Sequence, residues 1–156
     1  MSIYHSTAHR ITPTDIELLE KAAEVVESLY LSGDVYTNPN KVKTFLQFKL
    51  SKYEQEVFGV MFLNNQHQLI SFELMFKGTV NAASVYPREV AKLALQLNAS
   101  AIIATHNHPS GQSSPSQADI QITQRLKEAL ELIDVRMLDH IIIGKDTSSL
   151  AELGQM

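Results

Sequence analysis

Residues 101–119 read Ala-Ile-Ile-Ala-Thr-His-Asn-His-Pro-Ser-Gly-Gln-Ser-Ser-Pro-Ser-Gln-Ala-Asp, and few segments leave a chain so little choice. Ala101 to Thr105 form the short apolar run of a buried strand. Side chains at i and i+2 on a strand share a face, so His106 and His108 point to the same side. Pro109 and Gly111 break the strand into a loop. Ser116-Gln117-Ala118-Asp119 then reads as a helix start, with Ser116 as N-cap and Asp119 in the first turn. Strand, loop and helix thus bring two imidazoles and one carboxylate together. Three nitrogen and oxygen donors leave a fourth tetrahedral position open, the pattern of a catalytic zinc rather than a structural one. Taken separately, each half has a plain structural meaning: a polar pair at a strand end, and a helix cap. The two meanings are compatible, because a capped helix also holds its carboxylate still.

The whole string carries more than its parts. His106-x-His108-Pro109, ten residues, then Asp119, with Ser116 three before it, resembles the JAMM/MPN+ metalloprotease signature. Gly78-Thr79-Val80-Asn81, Pro87-Arg88-Glu89-Val90, His108-Pro109-Ser110-Gly111 and Leu138-Asp139-His140-Ile141 narrow the resemblance to the RadC-like branch. It runs from about Tyr36 to the C-terminus. It implies an α/β fold of mixed α+β type, a single JAB/MPN-like domain with a curved mixed sheet flanked by helices. That domain is expected over residues 36–156, behind an N-terminal arm and helix at 1–35. Two departures are visible. Tyr86 stands where the family has a His before Pro-Arg-Glu, which argues against a ligand or catalytic role there. The helix-hairpin-helix segment of longer RadC proteins has no counterpart, so the chain is similar to the short, single-domain form.

Composition agrees with an enzyme of this size. A chain of 156 residues, 44% hydrophobic, buries roughly two-thirds of its unfolded surface, enough for its own core. It has no cysteine, so disulfides and thiolate zinc sites are excluded. No apolar run approaches the roughly 20 residues of a membrane span, and the N-terminus does not read as a secretion signal; the cytoplasm is the expected location. A formal charge of −4 without a basic run gives no footing for strong nucleic-acid binding.

Periodicity fills in the rest. Met1 to about Thr12, with His5 and His9, reads as a loosely held arm. Thr14 or Asp15 is the expected cap of a helix to about Leu31, with Ile16, Leu19, Ala23 and Val26 on one stripe. Asn38-Pro39 starts a second helix, lined by Val42, Phe45 and Leu46. Glu56–Leu63 and Gln68–Phe76 read as a hairpin, and Ile70, Phe72, Leu74 and Phe76 predict one buried face by strict alternation. His67 falls in the turn and is expected to be exposed. Pro87 opens a helix before the His106 strand; another follows Asp119, then a strand at Val135–Ile143 and a short turn at Ser149–Leu153.

A zinc hydrolase needs a group that takes a proton from water and returns it to the leaving amine. With 17 acidic residues, spacing alone cannot identify it. The resemblance implies Glu56, directly before the apolar strand, with Glu54 as competitor. It also implies that the Ser116 hydroxyl donates to the oxyanion of a tetrahedral intermediate. Asp139 and His140 are read as hydrogen-bonded structural residues outside the ligand set. The expected function is therefore hydrolysis of a peptide or isopeptide bond in a protein or peptide substrate. One Zn²⁺ per chain would be held by His106, His108 and Asp119. A DNA-repair-associated protein and a non-catalytic MPN-type scaffold are the alternatives. An HNH nuclease is excluded, because its three residues are dispersed over a much longer motif. Substrate and oligomeric state are not legible in the sequence.

Overall fold

A computed structural model of the chain describes residues 11–80 and 84–156; the expected arm at Met1–Thr12 and Asn81 lie largely or wholly outside them. Helix α1 spans Pro13–Tyr30 and α2 spans Pro39–Leu50. The cap of α1 is Thr12, not Thr14 or Asp15. Pro13 takes the first helical position, where its missing N–H costs nothing. Asp15 instead closes a capping box: Asp15 N donates to Thr12 Oγ1 at 3.1 Å and Thr12 N to Asp15 Oδ2 at 2.8 Å. Ala23 and Val26 of α1 and Val42, Phe45, Leu46 and Leu50 of α2 are buried, so both apolar stripes are core.

Five strands follow: β1 Val57–Leu63, β2 Leu69–Lys77, β3 Ala101–Asn107, β4 Arg136–Ile143 and β5 Thr147–Ser149. They form one mixed sheet in the order β2-β1-β3-β4-β5. Among the described residues only β3 and β4 run parallel, and helix α4, Gln117–Glu131, lies in the connection between them. Helix α3, Pro87–Gln96, precedes β3. Every residue of β1 and β3 is buried, as expected for central strands covered on both faces. Met61, Ile103 and Ile141 pack toward α1 and α2. Val60, Ile102 and Ala104 pack with Val90 of α3 and Leu126 of α4. This is a mixed α/β fold. Among the described residues no helix is long and apolar enough to cross a membrane.

Strand β2 departs from strict alternation. Phe58 pairs with Phe76 and Gly59 with Leu74, leaving Met75 extra; Phe62 pairs with Ser71 and Leu63 with Leu69, leaving Ile70 extra. Each added residue is a β-bulge, which turns the following side chains to the other face. Phe72 and Leu74 therefore join the α1/α2 side while Phe76 joins the α3/α4 side, and Ile70 is 39% exposed. Strand β5 is also absent from the sequence reading, which placed only a turn near Ser149. Its three residues are too short for a periodic signal, and the turn begins at Leu150.

Candidate metal centre

The centre lies at the C-terminal end of β3. His106 is fully buried near the end of that strand, paired with Phe58 on one side and Ile142 on the other. Its ring lies 6.3 Å from that of Phe58, nearly parallel. His108 follows directly after the strand. Its backbone N–H donates to Ile143 O at 2.8 Å, and its Nδ1 lies 2.7 Å from Gln112 O. A carbonyl only accepts, so Nδ1 carries a proton, and in the neutral ring the Nε2 lone pair is the one that can bind a cation.

The loop from His108 to Ser116 is seated against β4. Gly144 makes the close approach possible: a Cβ there would lie 2.5 Å from Gly111 O, well inside contact distance. Gly111 itself has φ +87°, a left-handed conformation that glycine adopts without strain. Beyond the loop Ser116 caps α4, accepting from Asp119 N at 3.1 Å, while Ser116 N donates to Asp119 Oδ2 at 2.8 Å. The capping box holds the Asp119 carboxylate over the histidines.

Each Asp119 oxygen meets a different ring. Oδ1 lies 3.0 Å from His106 Nε2 and Oδ2 lies 3.0 Å from His108 Nε2. The two Nε2 atoms are themselves 3.0 Å apart. Donors about 2.0–2.1 Å from one tetrahedral ion stand roughly 3.3 Å from each other, a spacing close to these contacts, in which each imidazole faces its own carboxylate oxygen. Burial alone would raise the Asp119 carboxyl pKa, but the two imidazoles and the Ser116 N–H hold it far below the ordinary carboxylate range. For His108, burial pulls the pKa down, yet hydrogen bonding to Asp119 and Gln112 leaves it raised.

Glu56 also lies beside the pair, and with the two histidines it forms a group that could hold a metal ion. One of its oxygens and the donor atoms of His106 and His108 all lie within 4.8 Å of one another. Glu56 immediately precedes β1 and is half-buried, whereas Glu54 is exposed in a bend. Among the described residues, Val80 N donates to Glu56 Oε2 at 3.3 Å and Gly78 N to Glu56 O at 2.8 Å. The sequence reading missed the residue that fixes its position. Asn107 lies between the two histidines and faces away from them, accepting from Val57 N at 2.7 Å and donating to Gln55 O at 3.0 Å. It pins the backbone on both sides of Glu56.

His140 is hydrogen-bonded and fully buried, as expected, but its partner is His106: Nε2 lies 2.8 Å from His106 Nδ1. Burial pushes its pKa well below the usual imidazole value, which keeps the ring neutral. Its other nitrogen lies 2.6 Å from Thr123 Oγ1. Asp139 points to the opposite face and accepts from Ser149 Oγ and Ala151 N. Tyr86 is a half-exposed N-cap whose ring packs 5.9 Å from that of Phe76. His67 is not exposed as expected but half-buried, its ring tilted 5.3 Å from that of Tyr36 and its Nδ1 3.6 Å from Asp34 Oδ1.

The RadC-like JAB domain family matches residues 36–155. A UPF0758 protein of Vibrio cholerae is 55% identical over 137 residues, covering 88% of this chain and 87% of that protein. Another from the same organism is 55% identical over 138 residues, with 88% of each covered. A UPF0758 protein of Cellvibrio japonicus is 49% identical over 138 residues, which make up 62% of its length.

Proposed function

Because the chain belongs to the RadC-like JAB domain family, we propose that it is a metallopeptidase, hydrolysing an amide bond in a protein or peptide substrate with the help of one zinc ion. The observation that carries this reading is the triangle of His106 Nε2, His108 Nε2 and the Asp119 carboxylate, with all three contacts at 3.0 Å. These three residues would hold the ion. A zinc ion held there would supply Lewis acidity toward water and the scissile carbonyl.

The protein's own groups do the rest. Glu56, beside the histidine pair, takes a proton from water as its oxygen adds to the carbonyl carbon. It returns that proton to the amide nitrogen as the C–N bond breaks, so one carboxylate serves as base and then acid. Ser116 Oγ accepts from Asp119 N, which leaves its O–H to donate to the developing oxyanion. His106 is buried and His108 is mostly so, which limits competing water at the donors. The experiment is a comparison of chelated and zinc-restored protein on peptide and isopeptide substrates, reading new amines. Zinc-dependent amine release supports the reading, and equal release from both samples refutes it.

A further inference from the structure

His140 and Thr123 belong to no ligand set, yet their hydrogen bonds form a chain that ends on a proposed ligand. Thr123 Oγ1 donates to Asp119 O at 2.6 Å, one helical turn back. A hydroxyl has a single proton. With that proton committed, Thr123 Oγ1 accepts from His140 Nδ1 at 2.6 Å. A neutral imidazole has one donor and one acceptor nitrogen, so His140 Nε2 is then the acceptor. His106 Nδ1, 2.8 Å away, must be the donor. A neutral His106 ring thereby keeps its proton on Nδ1, and the Nε2 lone pair is the one left for a cation.

We propose that Thr123 and His140 are positioning residues that fix His106 in the Nδ1–H tautomer, the one that binds a metal through Nε2. The inference rests on the metal-centre reading above and adds a proton inventory to it. Metal-ligating histidines usually donate their second N–H to a carboxylate, a carbonyl or water; here another histidine stands in, and the carbonyl lies two links further on. That carbonyl belongs to Asp119, whose carboxylate is itself in the donor triangle. Phe58 packs beside both rings of the relay, 5.6 Å from that of His140 and 6.3 Å from that of His106. The opposite proton order would put a proton on His106 Nε2, where it would block the ion.

The direct test is long-range ¹H–¹⁵N correlation NMR of the full chain labelled at histidine, first chelated and then zinc-loaded. The expected result is an Nδ1–H on both His106 and His140 and a bare Nε2 on His140, in either state. A proton on His140 Nε2 overturns the proposal. The chelated spectrum decides this even if the protein binds no metal, so the two readings fail separately. Zinc affinity gives a second test. Thr123→Val removes the acceptor and should weaken binding about 10- to 100-fold, the usual range for such partners; Thr123→Ser should bind like the parent. Equal affinity in the folded Val and Ser variants overturns the relay. If Thr123→Val does not fold, the NMR result on the parent stands as the test.

Discussion

Ser116 and Asp119 hold each other across the first turn of α4: Ser116 Oγ accepts from Asp119 N at 3.1 Å and Asp119 Oδ2 accepts from Ser116 N at 2.8 Å. The same Oδ2 lies 3.0 Å from His108 Nε2. One carboxylate oxygen thus completes a helix cap and a candidate metal centre, which ties helix stability to site geometry.

The two uses of Ser116 separate by substitution. Losing a cap costs typically about 1 kcal/mol with Ala but only a few tenths with Gly. Losing an oxyanion donor raises the barrier by roughly 2.7–4 kcal/mol. Ser116→Gly should therefore melt near the parent while kcat falls by about two orders of magnitude. Full activity in that variant would leave Ser116 as a cap alone.

Metal content tests the donor triangle. Purified protein should carry about one zinc per chain by elemental analysis. His106→Ala and His108→Ala should each abolish it, since two remaining protein ligands hold zinc poorly. Full occupancy in both would remove the centre.

Glu56→Gln should retain zinc and fold, because a side-chain amide oxygen can still accept from Val80 N. Hydrolysis should nearly vanish, since an amide cannot shuttle a proton. Glu54→Gln, at an exposed position, should behave like the parent. The reverse pattern would move the base to Glu54.

Proton competition sets the pH dependence. The raised pKa of His108 means its ring stays protonated above the ordinary value of about 6.5, and that proton must leave before Nε2 binds an ion. Zinc affinity should fall up to about tenfold per pH unit below that raised pKa. For chelated protein the signs run as follows. The His108–Asp119 pair stabilises fully below about pH 6.5 and is lost as pH rises through the folded His108 pKa. Asp119, with its depressed pKa, stabilises above about pH 3.9 and less as pH falls below it. Calorimetry across pH 5.5–7.5 checks the affinity; a flat profile would contradict it.

Random duplex DNA should bind weakly. With net charge −4, affinity at physiological salt should not exceed the roughly 10⁻⁴–10⁻⁶ M of non-specific contacts. Submicromolar binding with a steep salt slope would favour the repair-associated alternative.

The legible parts of this molecule are local. Strand β3, the Pro109–Gly111 break and the Ser116 cap lie within 19 residues of sequence, and each follows from its own residue types. Thr123 was within reach of the same logic, since it sits one turn after Asp119 on the same helix face. Asn107 was not: its partners Val57 and Gln55 are 50 and 52 residues away. The bulges at Ile70 and Met75 also escaped, because alternation presumes an unbroken ladder and only the register against β1 reveals the extra residues.

The seat that Gly144 provides has a consequence for how the molecule opens. His108 N donates to Ile143 O, Lys145 N to Gly111 O and Ser148 Oγ to Ser113 Oγ. The loop is thus stitched to the β4–β5 hairpin at three points along its length. Segments joined this way open together as one cooperative unit. Hydrogen exchange at the His108 and Lys145 amides should then follow the slow rate of β4, not the fast rate of a surface loop. Gly144→Ala should speed both amides by the same factor.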